Sequence, residues 1–100
     1  MRDVAARFVA AVAQSDTVAA CALVAPRAVR RMKDQCGQVL PTFRLPTDRP
    51  DSIQVWGDTA QARTSGDTLF LRRFAQGWRI VAAGCVSRGE EPYECELDGT

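Results

Sequence analysis

Cysteine is the residue type in this sequence with the widest range of possible chemistry. The 100-residue chain has four cysteines and no histidine. Thiolates that bind zinc or exchange electrons are mostly found in close Cys-x-x-Cys pairs, and zinc sites often add histidine. Cys21, Cys36, Cys85 and Cys95 form no such pair. An even number of widely spaced cysteines in so short a chain favours two structural disulfides, and with them an oxidising compartment outside the cytoplasm.

Four cysteines allow three disulfide connectivities. We favour Cys21 with Cys36 and Cys85 with Cys95, and the other two connectivities remain open. The first pair would close a helical loop of roughly 16 residues and stabilise the fold by about 3 kcal/mol through chain entropy. The second would tether an acidic tail to the last predicted strand. The hydrophobic fraction of 46% is rich in alanine and only 7% of residues are aromatic, so we expect a modest core in which the cross-links matter.

A carboxylate acting as general base is the sharpest enzymatic hypothesis, because the chain has no histidine for that role. The predicted strands contain no Asp or Glu. Asp58 and Asp67 directly follow glycines in predicted turns, where Asp is favoured for local hydrogen bonds. Asp16 is predicted to cap a helix. We therefore expect no catalytic residue, and Asp58 is the least implausible base. We also expect no metal site and no cofactor.

The arginines of the predicted strands are the more interesting polar residues. Consecutive Arg72 and Arg73 must point to opposite faces of a sheet, and Arg72 shares its face with Phe70 and Phe74. An inward arginine beside aromatic rings could hold an anionic ligand. The alternative, which we favour, is an arginine whose stem packs while its head reaches solvent or the acidic tail. The candidate ligand-binding residues are Arg72, Phe70, Phe74, Trp78 and Arg63.

A second basic group is predicted on a helix, at Arg27, Arg30, Arg31 and Lys33. It is basic enough to suggest contact with an anionic lipid or polymer. Its members span two faces of the predicted helix, as a solvated helix surface would, and this is the interpretation we favour. The net charge of +1 gives no case for nucleic-acid binding. No apolar run approaches the length of a transmembrane helix.

The first third of the chain has helical periodicity and the second half alternates as strands do. Asp3 is predicted to cap the first helix, Asp16 the second, Pro26 to open a third, and Gly37 to end it as a left-handed C-cap. Turn dipeptides at Gly57-Asp58, Gly66-Asp67 and Gln76-Gly77 then separate four strands in a β-meander. The predicted strands are residues 53–56, 60–65, 68–74 and 78–86. The fold class is α+β, as a single domain over residues 1–100, with helices over about 3–43, a curved antiparallel sheet over about 52–86 and a disulfide-tethered tail over 87–100.

These segments resemble a known superfamily. Residues 55–62 (VWGDTAQA), 69–74 (LFLRRF) and 77–81 (GWRIV) resemble the C-terminal meander of the nuclear transport factor two-like (cystatin-like, SnoaL-like) superfamily, and residues 8–24 resemble its first two helices. Within that superfamily the chain is most similar to small actinobacterial secreted proteins and lipoproteins. The resemblance implies a bent sheet wrapped round the helices as a cone, with any pocket at its open end. It does not fix a function, because the superfamily includes isomerases, cyclases, dehydratases and binding modules.

We expect a non-enzymatic extracytoplasmic binding or interaction module, secreted or held at the cell envelope by a lipid anchor. Its partner would be a small molecule or a protein, and the membrane would be reached only through an upstream anchor. A secretion signal or anchor segment is then expected to precede Arg2. Pairing of two copies through the sheet is a further expectation from the superfamily. The competing hypothesis is an isomerase- or cyclase-like enzyme with a carboxylate base in the cone pocket.

Overall fold

A computed structural model describes residues 2–64, 67–88 and 91–98 of the protein, and it has the expected α+β class. Short helices come first and an antiparallel sheet follows. The helices are α1 (Arg2–Ala13), α2 (Thr17–Ala22), α3 (Pro26–Arg31) and α4 (Cys36–Val39), with a 3₁₀ turn at Leu40–Thr42. The strands are β1 (Ser52–Trp56), β2 (Thr59–Arg63), β3 (Thr68–Phe74), β4 (Gly77–Arg88) and β5 (Glu91–Asp98). None of the helices in the described ranges has the length and hydrophobicity of a membrane span.

Local chemistry sets the starts of two of the helices. The Asp16 carboxylate accepts a hydrogen bond from the Ala19 N–H at 3.2 Å and so caps α2, as predicted. Pro26 opens α3, also as predicted. The prediction that Gly37 ends the third helix is wrong. That helix ends at Arg31, the chain then turns at Lys33 and Asp34 with φ of 56° and 59°, and residue 37 lies within α4.

The five strands form one antiparallel sheet in the order β1-β2-β3-β4-β5. The segment after residue 86, which the sequence predicted as a tethered tail, extends β4 and then forms β5 along it, with Cys85 opposite Cys95 and Val86 opposite Glu94. Backbone hydrogen bonding along β4 overrides the low strand propensity of this acidic segment. The predicted turn at Gly66-Asp67 and the end of the predicted second strand at Ser65 fall partly outside the described residues.

The core lies between the helices and one face of the sheet. Phe8 and Val9 of α1 are buried in it together with Leu69, Leu71 and Ile80 of β3 and β4. Alternation along β3 places Leu69 and Leu71 on the same face, which is the face that packs on the helices. Many of the remaining buried core residues are alanines, in agreement with a core that buries little area per residue.

The connection between α2 and α3 lies beside β4 in the plane of the sheet. Val24 forms a parallel bridge with Ile80. The Ile80 N–H donates to the Leu23 carbonyl at 2.8 Å, and the Ala25 N–H donates to the Ile80 carbonyl at 2.8 Å. This connection therefore fixes the start of α3 against the sheet, just past the end of β5, whose Asp98 pairs with Ala82.

Strand β4 is irregular along its pairing with β3. The register shifts between Thr68 and Phe70 and again between Phe70 and Leu71, which indicates bulges in β4. Gly84 lies in this stretch with φ of +66°, and a Cβ at its position would stand 2.8 Å from the Arg44 carbonyl oxygen. Glycine is therefore needed here both for the backbone conformation and for the close passage of the loop that carries Arg44.

Candidate functional site

A cleft of about 590 Å³ opens between the start of α3 and strands β2 to β4. Its volume falls within the range of small-molecule binding sites. The described residues that line it are Ala25, Pro26, Arg27, Arg30, Thr59, Ala60, Phe70, Leu71, Arg72, Phe74 and Val81. They combine apolar and aromatic side chains with three arginines.

The aromatic part of the cleft comes from β3. Phe70 and Phe74 alternate with the buried Leu69 and Leu71, so they lie on the face of the strand turned away from the core. Both phenylalanines are half-buried, as is Val81 on the neighbouring strand. These side chains keep apolar surface partly open to solvent, which is the property a ligand site needs.

The cationic part of the cleft comes from two elements. Arg72 lies on β3 between the two phenylalanines, and Arg27 and Arg30 are three residues apart on α3, which places them on neighbouring parts of one helix face. All three arginines are exposed. No carboxylate occurs among the described residues that line the cleft. The cleft therefore presents positive charge from both the helix and the sheet beside an apolar surface.

The consecutive arginines do occupy opposite faces. Arg73 lies on the other face from Arg72, with its guanidinium carbon 6.0 Å from the centroid of the Trp78 ring, which is within reach of a cation–π interaction. Trp78 itself packs against the core. The structure thus separates Trp78 from the cleft, although the sequence grouped it with Phe70 and Phe74.

Arg63 is also separate from the cleft. It is the last residue of β2, opposite Ser52 and Thr68, and its carbonyl accepts a hydrogen bond from the Asp51 N–H at 2.7 Å. Of the five candidate binding residues, the structure brings together Arg72, Phe70 and Phe74. Arg27 and Arg30 also line the cleft. The sequence had placed them in a separate basic group, because only the tertiary fold shows that α3 borders the sheet at this point.

The candidate base Asp58 lies in the turn between β1 and β2. It is exposed, and its backbone carbonyl accepts a hydrogen bond from the Arg73 N–H at 2.8 Å. It is not among the described residues that line the cleft. Within the described ranges, no group of three or more Cys, Asp or Glu side chains could hold a metal ion.

Two disulfides cross-link the chain, and they are the two pairs favoured from the sequence. Cys21 and Cys36 have Cα atoms 6.0 Å apart, and Cys85 and Cys95 have Cα atoms 3.9 Å apart. Cys85 and Cys95 stand opposite each other on paired strands. The Cys21–Cys36 bond spans the loop that contains α3, so it flanks the helix that supplies Arg27 and Arg30 to the cleft.

Other cavities formed by the described residues lie elsewhere on the molecule. A groove of about 130 Å³ is lined mostly by apolar residues of α1, α2 and the 3₁₀ turn. Another cavity, of about 390 Å³, is lined by Arg44, Asp67, Gly84, Val86, Glu94 and Glu96. In it the Arg44 N–H donates to the Glu96 carboxylate at 3.1 Å. Neither combines aromatic surface with several like charges, as the cleft beside α3 does.

Comparison of the chain with protein-family models, with curated proteins and with solved structures finds no match. In the described part of the chain, the cleft beside α3 combines apolar surface, cationic groups and a volume of about 590 Å³.

Proposed function

We propose that the protein is a non-enzymatic, extracytoplasmic binding module that holds a small anionic molecule in the cleft between α3 and the sheet. The observation that carries this proposal is the lining of the cleft. Three arginines stand beside Phe70 and Phe74, with no carboxylate among the described lining residues. Guanidinium groups form strong charge-assisted hydrogen bonds with carboxylates and phosphates, and the rings would contact an apolar part of the same ligand.

Membership of the nuclear transport factor two-like superfamily is part of the proposal. The succession of helices and an antiparallel meander agrees with that superfamily at the level of fold class. The cleft differs from the pocket expected inside a cone, because Phe70 and Phe74 lie on the face of β3 turned away from the core. Two other partners are alternatives to a small molecule. One is a second copy of the chain, paired through the sheet, and the other is a different protein.

The two disulfides are compatible with an extracytoplasmic location. We propose that the protein is secreted or lipid-anchored at the cell envelope. Fractionation of the native organism, with free thiols alkylated at lysis, tests this. We expect the protein in the envelope or the medium with all four cysteines protected from alkylation. Recovery from the cytoplasm with reactive thiols would overturn the proposed location.

An isomerase- or cyclase-like enzyme remains the alternative function. It would need a carboxylate base within reach of a bound substrate. The exposed position of Asp58 in the turn between β1 and β2 gives that alternative little support. A binding role needs no such group and uses the residues that do line the cleft.

The test of the binding role compares neighbouring arginines on opposite faces of β3. Titration with aromatic anions such as benzoate and phenyl phosphate, followed by calorimetry, is applied to the wild type, to Arg72→Gln and to Arg73→Gln. A charge-assisted hydrogen bond contributes about 1.5–3 kcal/mol, so we expect Arg72→Gln to weaken binding by roughly ten- to a hundredfold. Arg73→Gln removes the same charge outside the cleft and should change affinity less than about twofold. Equal effects of the two variants, or no binding of any anion, would refute the proposal.

A further inference from the structure

We propose that the anionic group held in the cleft is a phosphate monoester, bound from two sides by the arginines of α3 and of β3. This inference rests on the proposed function and names the class of its ligand. The positive charge in the cleft comes from two elements of the fold. Arg72 comes from the sheet, whereas Arg27 and Arg30 come from the helix at the other side of the opening.

The shape and charge of the anion decide between ligand classes. A carboxylate is planar, carries one negative charge and is matched by a single guanidinium fork. A phosphate monoester carries a charge of about −1.5 to −2 at neutral pH and has three terminal oxygens arranged tetrahedrally. It can therefore accept hydrogen bonds from guanidinium groups that approach from different directions. Three arginines on two elements match the phosphate better than the carboxylate.

The position of the aromatic residues restricts the rest of the ligand. Phe70 and Phe74 stand two residues to either side of Arg72 on one strand face. The Cα atom of each phenylalanine therefore lies roughly 7 Å along the strand from that of the arginine. An apolar group attached directly to the phosphate oxygen would reach these rings while the phosphate contacts Arg72. The ligand is thus an aryl or short alkyl phosphate monoester, or the equivalent headgroup of a lipid.

The experiment compares phenyl phosphate, benzoate and inorganic phosphate by calorimetry at neutral pH with the intact, oxidised protein. We expect phenyl phosphate to bind at least about tenfold more tightly than either of the other two. The double variant Arg27→Gln/Arg30→Gln should lose most of the preference for phenyl phosphate over benzoate. Lys33→Gln removes a charge just beyond α3, at a residue outside the described lining, and should keep that preference. Circular dichroism and melting temperature establish that each variant is folded.

The outcomes separate this inference from the proposed function. If benzoate binds as tightly as phenyl phosphate and still depends on Arg72, the phosphate inference fails while the binding role stands. If inorganic phosphate binds as tightly as phenyl phosphate, the apolar contact with the phenylalanines is refuted. If no probe binds, both proposals fail. If the helix variants keep the full preference, binding from two sides is refuted.

A sedimentation experiment distinguishes a lipid headgroup from a soluble phosphate monoester as the ligand. Vesicles of phosphatidylcholine with and without phosphatidic acid are sedimented with the protein and with the same variants. Binding that requires phosphatidic acid and is lost in Arg72→Gln assigns the cleft to a lipid headgroup. Binding of phenyl phosphate without vesicle binding assigns it to a soluble monoester. Vesicle binding that Arg72→Gln leaves unchanged would contradict a role of the cleft at the membrane.

Discussion

The two disulfide-bonded regions of the molecule differ in what else holds them together. The sequence separations are 15 residues for Cys21–Cys36 and 10 for Cys85–Cys95, and chain entropy alone gives each bond about 3 kcal/mol. The second bond joins β4 and β5, which already share a hydrogen-bonded ladder. The first joins α2 to α4, with α3 between them, and these three helices have 6, 6 and 4 residues, which makes them too short to be stable alone.

Equal cross-links can therefore have unequal local roles. In the sheet, the backbone ladder fixes the two strands whether or not the sulfur atoms are joined. In the helical region, the disulfide constrains a loop whose helices have few hydrogen bonds of their own. That loop carries Arg27 and Arg30, so we expect the geometry of the proposed binding site to depend on the first bond and not on the second.

The largest expected effect comes from removing each disulfide separately and comparing the two variants. Removal of the first bond by Cys21→Ala/Cys36→Ala should lower the free energy of unfolding by about 3 kcal/mol. It should also raise hydrogen–deuterium exchange across Pro26–Arg31 and weaken the binding of phenyl phosphate several-fold. Denaturant unfolding, exchange mass spectrometry and calorimetry measure the three changes.

The matched control is Cys85→Ala/Cys95→Ala. A similar loss of stability is expected from it, with α3 still protected from exchange and phenyl phosphate affinity within about twofold of the wild type. If the two double variants expose α3 to the same degree, the contrast between the regions is wrong.

A smaller effect tests whether backbone geometry is what stabilises the sheet region. Gly84→Ala should cost about 2 kcal/mol, because it places a Cβ in the left-handed region and 2.8 Å from the Arg44 carbonyl oxygen. Gly37→Ala is the control. A Cβ there meets nothing within 4 Å, and alanine in a helix is favoured over glycine by about 0.5–1 kcal/mol. Urea unfolding of both variants measures the difference, and a neutral Gly84→Ala would remove the argument for a required glycine.

The smallest expected effect is a loss of stability from removing a helix cap in the helical region while its disulfide stays intact. Asp16→Ala removes the acceptor for the Ala19 N–H and should cost about 1 kcal/mol. Asp3→Ala, in the first turn of α1, removes an acidic group that favours a helix N-terminus and should cost no more than about half as much. Thermal unfolding compares the two. A larger loss from Asp16→Ala than from breaking Cys21–Cys36 would mean that local capping, and not the cross-link, holds this region.

Features fixed by neighbouring residues were accessible from the sequence. The cap at Asp16, the start of α3 at Pro26 and the turn at Gly57-Asp58 depend on local backbone chemistry, and the structure has all three. The alternation of Phe70, Arg72 and Phe74 follows from the period of a strand. Their position on one face of the strand was therefore predictable once β3 was identified, whereas the cleft also requires α3.

Features fixed by distant contacts were not accessible. Strand β5 forms on an acidic segment with a proline because β4 offers it a pairing edge. The end of α3 depends on Lys33 and Asp34 adopting a left-handed conformation, which non-glycine residues seldom do. Arg27 and Arg30 join the cleft because the Val24–Ile80 bridge fixes where α3 begins. No sequence pattern links residues so far apart.

That same bridge has a consequence for how the polypeptide acquires its structure during synthesis. The amino-terminal segment emerges first, yet the partner of its Val24 lies more than half the chain further on. Until β4 has been made, the Leu23 carbonyl and the Ala25 N–H lack the Ile80 backbone groups that bond them in the folded protein. The helices therefore depend on the sheet for their stability. A nascent chain stalled before β4 should stay largely unstructured, and this protein should fold late and as one unit.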